Sequence, residues 1–134
     1  MQASMARAAQ AYRMTQVQSQ SPLELVVLLY DGALRFMRAA ADAMGRGDLV
    51  AKRDAMSRAL AIVAELRNTL NTDQGGDVAV SLDRLYEYVT GLLLDANAHQ
   101  DPAPLQESIR LMTPLYDAWV AIASPALTAP GGRP

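Results

Sequence analysis

The chain has no cysteine, and only one histidine, one tryptophan and one phenylalanine among its 134 residues. Without thiols there is neither a disulfide framework nor a thiolate metal site, a composition compatible with the cytosol. Aromatic residues make up only 5% of the sequence, which suits a β-sandwich poorly, because strands favour aromatic and β-branched side chains. Neither charge dominates: twelve basic residues face fourteen acidic ones, for a net charge of −2. The basic residues are scattered, so no phosphate-binding stripe exists and nucleic acid is not an expected partner. Long apolar runs are missing as well. The strongest, Leu25 to Tyr30, is stopped by Asp31 and falls far short of the roughly 18 residues that suggest a membrane span. The first ten residues lack the apolar core of a secretory signal. The expectation is one soluble domain without a membrane span.

What the chain has is aliphatic helical patterning, with 51% hydrophobic residues. The spacing predicts a first helix over Ser21 to Met44: Ser21 can serve as N-cap, Pro22 fits the first helical position, and Glu24 stands where a capping box places its carboxylate. Asp31, Arg35, Arg38 and Asp42 form one polar row. That row, carried backward, runs past Glu24 and Val27, so Val27 is expected where water should be. Leu23, Leu25, Val26, Leu28, Leu29 and Tyr30 fill most of the remaining circumference. A helix that is apolar nearly all the way round is either deeply buried or faces a second apolar partner.

Gly45 and Gly47 break this pattern, and Asp48 can cap a second helix reaching about Leu70, with Leu49, Met56, Ala59, Val63, Leu66 and Leu70 as its seam and Lys52, Arg53, Arg58 and Glu65 on other faces. Asn71 to Gly76 reads as a turn before a third helix capped by Asp77, running to about His99 with the seam Val78, Leu82, Leu85, Val89 and Leu92. Asp101 and Pro102 open a fourth, whose seam is Leu105, Ile109, Met112, Tyr116 and Trp119. Pro114 lies inside it and is expected to kink it. Four helices joined by short connections predict an all-α, antiparallel up-down four-helix bundle over 21–123. Residues 1–20 form an N-terminal arm, and 124–134, rich in proline and glycine, a disordered tail.

Catalytic constellations do not emerge. His99, at a helix end without a glutamate three residues before it, lacks the pattern of a bundle metal site. Asp83 and Glu87 sit one turn apart, as solvated carboxylates commonly do. No catalytic residue, cofactor or metal site is assigned. Trp119 is expected in the core, and the scattered tyrosines as buried or half-buried groups with one hydrogen bond each.

Several stretches carry a family resemblance. Tyr12 through Val17, Ser21-Pro22, Leu29-Tyr30-Asp31-Gly32-Ala33 and Arg35-Phe36 closely resemble the start of the flagellin export chaperones, the FliS family. The likeness continues through Gly47-Asp48, Leu66, Asn68, Leu70-Asn71, Gly75-Gly76-Asp77, Leu85-Tyr86, Ala96-Asn97, Asp101-Pro102 and Ala118-Trp119. It spans nearly all of 12–123, with Pro114 departing from the usual uninterrupted last helix.

The resemblance implies a cytoplasmic chaperone, not an enzyme. Such a protein binds the disordered C-terminal segment of flagellin, prevents premature polymerisation and helps deliver it to the flagellar type III export gate. It leaves open whether an anti-sigma factor is a second client and whether the chain is a monomer or a weak homodimer. In some members the arm covers the client groove, and here it includes Tyr12 and Val17. The flagellin-binding candidates are therefore Tyr12, Val17, Val27, Leu28, Asp31, Gly32 and Leu34. Gly32 admits either a close client backbone or close packing of a neighbouring helix; Asp31 either pairs with the client or is a solvated helix charge. The alternative reading is a structural or regulatory bundle that dimerises through its extra apolar face.

Overall fold

A computed structural model of the chain describes residues 5–9 and 21–127. Four helices account for nearly all of it: α1 (Pro22–Arg46), α2 (Leu49–Asn68), α3 (Thr72–His99) and α4 (Pro102–Leu127). The architecture is an all-α helical bundle. Each helix packs on the next, and α4 closes on α1, so α1 stands diagonally across from α3. The α2–α3 pair runs antiparallel. Lys52 in the first turn of α2 meets Asn97 near the end of α3, while Arg67 at the end of α2 meets Asp83.

Local chemistry sets the boundaries. Ser21 accepts a hydrogen bond from the Glu24 N–H at 3.4 Å, Asp48 one from the Ala51 N–H at 3.0 Å, and Asp101 one from the Ala103 N–H at 3.0 Å. Each satisfies a donor that the first helical turn leaves without an intrahelical partner. α1 runs through Gly45 and ends at Gly47, whose φ of 73° gives the left-handed cap that glycine adopts without strain. At the start of α3, Asn71 carries the cap in place of Asp77, accepting from the Gln74 N–H at 3.0 Å. Gly76, at φ 59° and ψ −136°, then breaks the helix. The expected turn is thus compressed into one helical turn and a kink. α4 continues through Pro114 and passes Ser124 to reach Leu127, beyond the expected start of the tail; a proline near a helix end forfeits only one backbone bond.

The core is aliphatic with an aromatic centre. Tyr30, Tyr86 and Trp119 are all fully buried, with the Tyr30 ring centroid 6.3 Å from that of Tyr86 and 6.1 Å from that of Trp119. Around them α1 contributes Val26, Ala33, Leu34, Met37 and Ala40, and α2 contributes Ala55, Met56, Ala59, Val63 and Leu66. Met5, Ala8 and Ala9, in the helical turn at 5–9, join the same cluster. Residues 5–9 of the arm are therefore part of the packed body.

Two seams differ from expectation. On α3 the buried stripe is Ala79, Leu82, Tyr86, Val89, Leu93 and Ala96, with Val78 and Leu85 only half-buried. Several adjacent rows are apolar, and the Tyr86 hydroxyl selects among them by finding its partner on α1. On α2, Leu49 is 46% exposed and Lys52 is buried. The Lys52 ammonium reaches Asn97, donating to its carbonyl at 3.2 Å and its Oδ1 at 2.6 Å. Carbonyls in the last turn of a helix lack intrahelical donors, so a lysine whose aliphatic stem lies in the core can supply one.

Candidate functional site

The first half of α1 explains where the candidates go. Helical geometry turns Val26, Tyr30, Ala33 and Leu34 inward together, and Leu34 is left only 2% exposed. Gly32 is also buried: a methyl group at its Cα would come within 3.1 Å of Ile62 Cδ1 on α2. The close approach at Gly32 is therefore made by a neighbouring helix of the same chain. Val27 is half-buried and packs against the core, so the expectation that it faces water is corrected. The polar row projected back from Asp31 and Arg35 by a step of three fits Leu28 instead, which is exposed.

Leu28 is 60% exposed, and Asp31 accepts a hydrogen bond from Arg35 Nε at 3.0 Å on the same surface of α1. Tyr12 and Val17 lie outside the described residues. Of the five candidates described, then, two reach the surface and three support it from within. Beside them, Phe36 packs with the guanidinium groups of Arg35 and Arg58 each 5.7 Å from its ring centroid. This ties the surfaces of α1 and α2 together.

Sequence patterning missed other exposed apolar side chains: Leu49 and Val50 in the first turn of α2, and Val80, Tyr88 and Leu94 on α3. The signal was present but ambiguous. In the run Leu92-Leu93-Leu94 every residue is a leucine, yet Leu93 is sealed and Leu94 is 52% exposed. Only the rotation of α3 distinguishes them.

The polar groups are organised as braces. Arg67 donates to both carboxylate oxygens of Asp83, at 2.6 and 3.2 Å, and lies 3.6 Å from Glu87. Its hydrogen bond to Asp83 raises the guanidinium further above its ordinary value. Asp83 and Glu87 thus serve the α2–α3 contact. Tyr88 donates to Glu107 at 2.7 Å, and that bond pushes the phenol upward. Burial, the larger effect, pushes the Tyr30 phenol up to about 12, against the opposing influence of its bonds to Tyr86 and Trp119. His99 lies on the surface beside Asp95. Among the described residues no group of acidic and histidine side chains converges as a metal site would require, and no helix is long and apolar enough to cross a membrane.

A helical bundle with a packed aromatic centre, braces between its helices and apolar side chains left outside defines a binding scaffold. Residues 5–126 match the model of the family described as Flagellar protein FliS, and the chain belongs to that family. It is 33% identical over 114 residues to the flagellar secretion chaperone FliS of Vibrio cholerae, covering 82% of this chain and 84% of the relative. The Salmonella typhimurium protein of the same name is 35% identical over 111 residues, covering 82% of each chain. That of Campylobacter jejuni is 36% identical over 109 residues, covering 81% of this chain and 85% of the relative. The family is one of chaperones, not of enzymes.

Proposed function

We propose that this chain is a cytoplasmic export chaperone that holds the disordered C-terminal segment of flagellin, prevents its premature polymerisation and helps deliver it to the flagellar type III export apparatus. Family membership supports the chaperone role. The structural observation that carries the reading is apolar surface on an otherwise packed bundle, on α1 Leu28 at 60% exposure. Ordering a disordered segment costs about 2–5 kcal/mol, while each well-buried aliphatic side chain returns roughly 1.5–3 kcal/mol. A few anchors on a stiff template therefore offset that cost.

In this reading Leu28 and Asp31 touch the guest, Val27 borders it, and Gly32 and Leu34 hold α1 in position. Tyr12 and Val17 belong to an arm that the guest displaces. The chain acts as a monomer or a weak homodimer, with the apolar face kept for the client. Binding of purified protein to full-length flagellin, and its loss with flagellin lacking the C-terminal segment, tests the proposal. Equal binding to both would overturn it.

A further inference from the structure

Of the twelve lysine and arginine residues in the chain, only Lys52 is a lysine, and it is 2% exposed. An arginine guanidinium stays protonated, whereas a lysine amine that gives up its proton is a nucleophile toward acyl groups. Lysine acylation of this chain therefore has a single address, and that address lies inside the bundle. The Lys52 ammonium donates to two oxygens of Asn97, the backbone carbonyl at 3.2 Å and Oδ1 at 2.6 Å. The carbonyl belongs to the last turn of α3, which ends at His99, so the charge also meets the negative end of a helix dipole.

The cover over this amine is thin on one side. Asn97 is only half-buried, and besides bonding the ammonium it lines an open groove of about 390 Å³ between α2 and α3. That volume accepts a small organic molecule. Arg53 lines the same groove and offers a phosphate a cation, while the lining carboxylate, Asp54, is already held by Arg58 at 3.1 Å. Rotation of the Asn97 side chain to another staggered position takes Oδ1 away from the ammonium without unfolding either helix.

We propose that Lys52 is a cryptic acylation site: an acyl phosphate in the groove reaches the amine when the Asn97 side chain swings aside, and the acylated lysine then loosens the join between α2 and α3. The ammonium first gives one proton to water. The amine nitrogen bonds the acyl carbon, the bond from that carbon to the phosphate oxygen breaks with its electron pair leaving on phosphate, and phosphate takes the second proton shed by nitrogen. The product is a neutral amide with one N–H where the ammonium had three. Asn97 loses its charged donor, and the last turn of α3 loses the cation that faced it.

The test is incubation of the full chain with acetyl phosphate, with acetylation at Lys52 followed over time by peptide mass spectrometry. Labelling of the folded wild type should be at least about tenfold slower than labelling of the chain unfolded in urea. Asn97→Ala, which removes the side-chain cover, should speed labelling of the folded chain by about tenfold. Gly32→Leu, which disturbs the bundle at the α1–α2 contact instead, should label at the wild-type rate. Acetyl-lysine incorporated in place of Lys52 should lower Tm by about 5 °C or more.

Equal labelling rates for the folded and unfolded chains would show an open amine and overturn the cryptic site. Equal acceleration by Gly32→Leu and Asn97→Ala would mean that general unfolding exposes Lys52, and would overturn the route through the groove. Absence of label from folded Asn97→Ala would overturn it as well. A wild-type Tm for the chain carrying acetyl-lysine would overturn the loosening of the helix pair.

Discussion

The hydroxyls of Tyr30 and Tyr86 lie 2.6 Å apart in the centre of the bundle, joining α1 to α3 across the diagonal that no direct helix packing spans. Trp119 of α4 lies against the Tyr30 ring, so one buried cluster draws on three helices. A polar group buried this deeply is retained only if it is hydrogen-bonded. The pair therefore sets the rotation of both helices at once.

Tyr30→Phe removes one partner of that bond and should lower stability by about 1–3 kcal/mol. Combined with Tyr86→Phe, the loss should be smaller than the sum of the two single changes, since both delete the same interaction. Urea denaturation of the four proteins gives the coupling. Strict additivity would show that the hydroxyl pair is not a unit.

Alkaline pH should loosen the bundle through the same residue. The folded-state phenol is raised to about 12 against 10.0 when unperturbed, so between those values the folded chain binds a proton that the unfolded chain has released. Stability from this group is complete below pH 10 and falls as pH rises toward 12, by roughly 2–3 kcal/mol in all. Tyr30→Phe should flatten that limb of the stability curve. An unchanged slope in the variant would mean that other groups control it.

The Lys52–Asn97 contact is asymmetric in what its loss costs. Asn97→Ala leaves a buried ammonium short of an acceptor and should destabilise by about 1.5–3 kcal/mol. Lys52→Met removes the charge and keeps an aliphatic chain, and should cost less. Guanidinium unfolding of both variants decides the order; a larger loss for Lys52→Met would indicate that the charge itself is needed.

Gly32 separates packing from propensity. Alanine gains about 1 kcal/mol of helix propensity but places a methyl 3.1 Å from Ile62 Cδ1, the mobile end of a side chain that can shift. Gly32→Ala should therefore change thermal stability little, while Gly32→Leu, too large for the gap, should lower it by about 1–3 kcal/mol. Tolerance of leucine would mean that α1 and α2 are not held together there.

The surface of α1 divides into fold and binding. Leu34→Ala should cost about 2–5 kcal/mol of stability, and Val27→Asp should cost more than Leu28→Asp because Val27 touches the core. Leu28→Asp should leave stability within about 0.5 kcal/mol and weaken flagellin-peptide binding. Calorimetric melting alongside peptide titration separates the two effects, and a Leu28→Asp variant that binds normally would take Leu28 out of the guest surface.

Helix number and several helix ends could be read along the chain because each depends on neighbours in sequence, whereas the start of α3 at Asn71 and the end of α4 at Leu127 departed from that reading. Ser21, Asp48 and Asp101 cap with side chains three or fewer residues from the groups they satisfy, and Gly47 ends α1 by its own backbone freedom. The family likeness rested on the same ordered, local patterns. Which apolar row faces inward was another matter, because α1 and α3 are apolar over more than half their circumference and several rotations bury similar area. Contacts between residues far apart in sequence chose among them: the Tyr30 hydroxyl placed Tyr86 inward instead of Leu85, packing against the core half-buried Val27 and left Leu28 outside, and the unpaired end of α3 drew Lys52 into the interior. Local hydrogen bonding leaves a signature within a few residues, whereas burial is a property of the partner, and the partner exists only once the chain has folded.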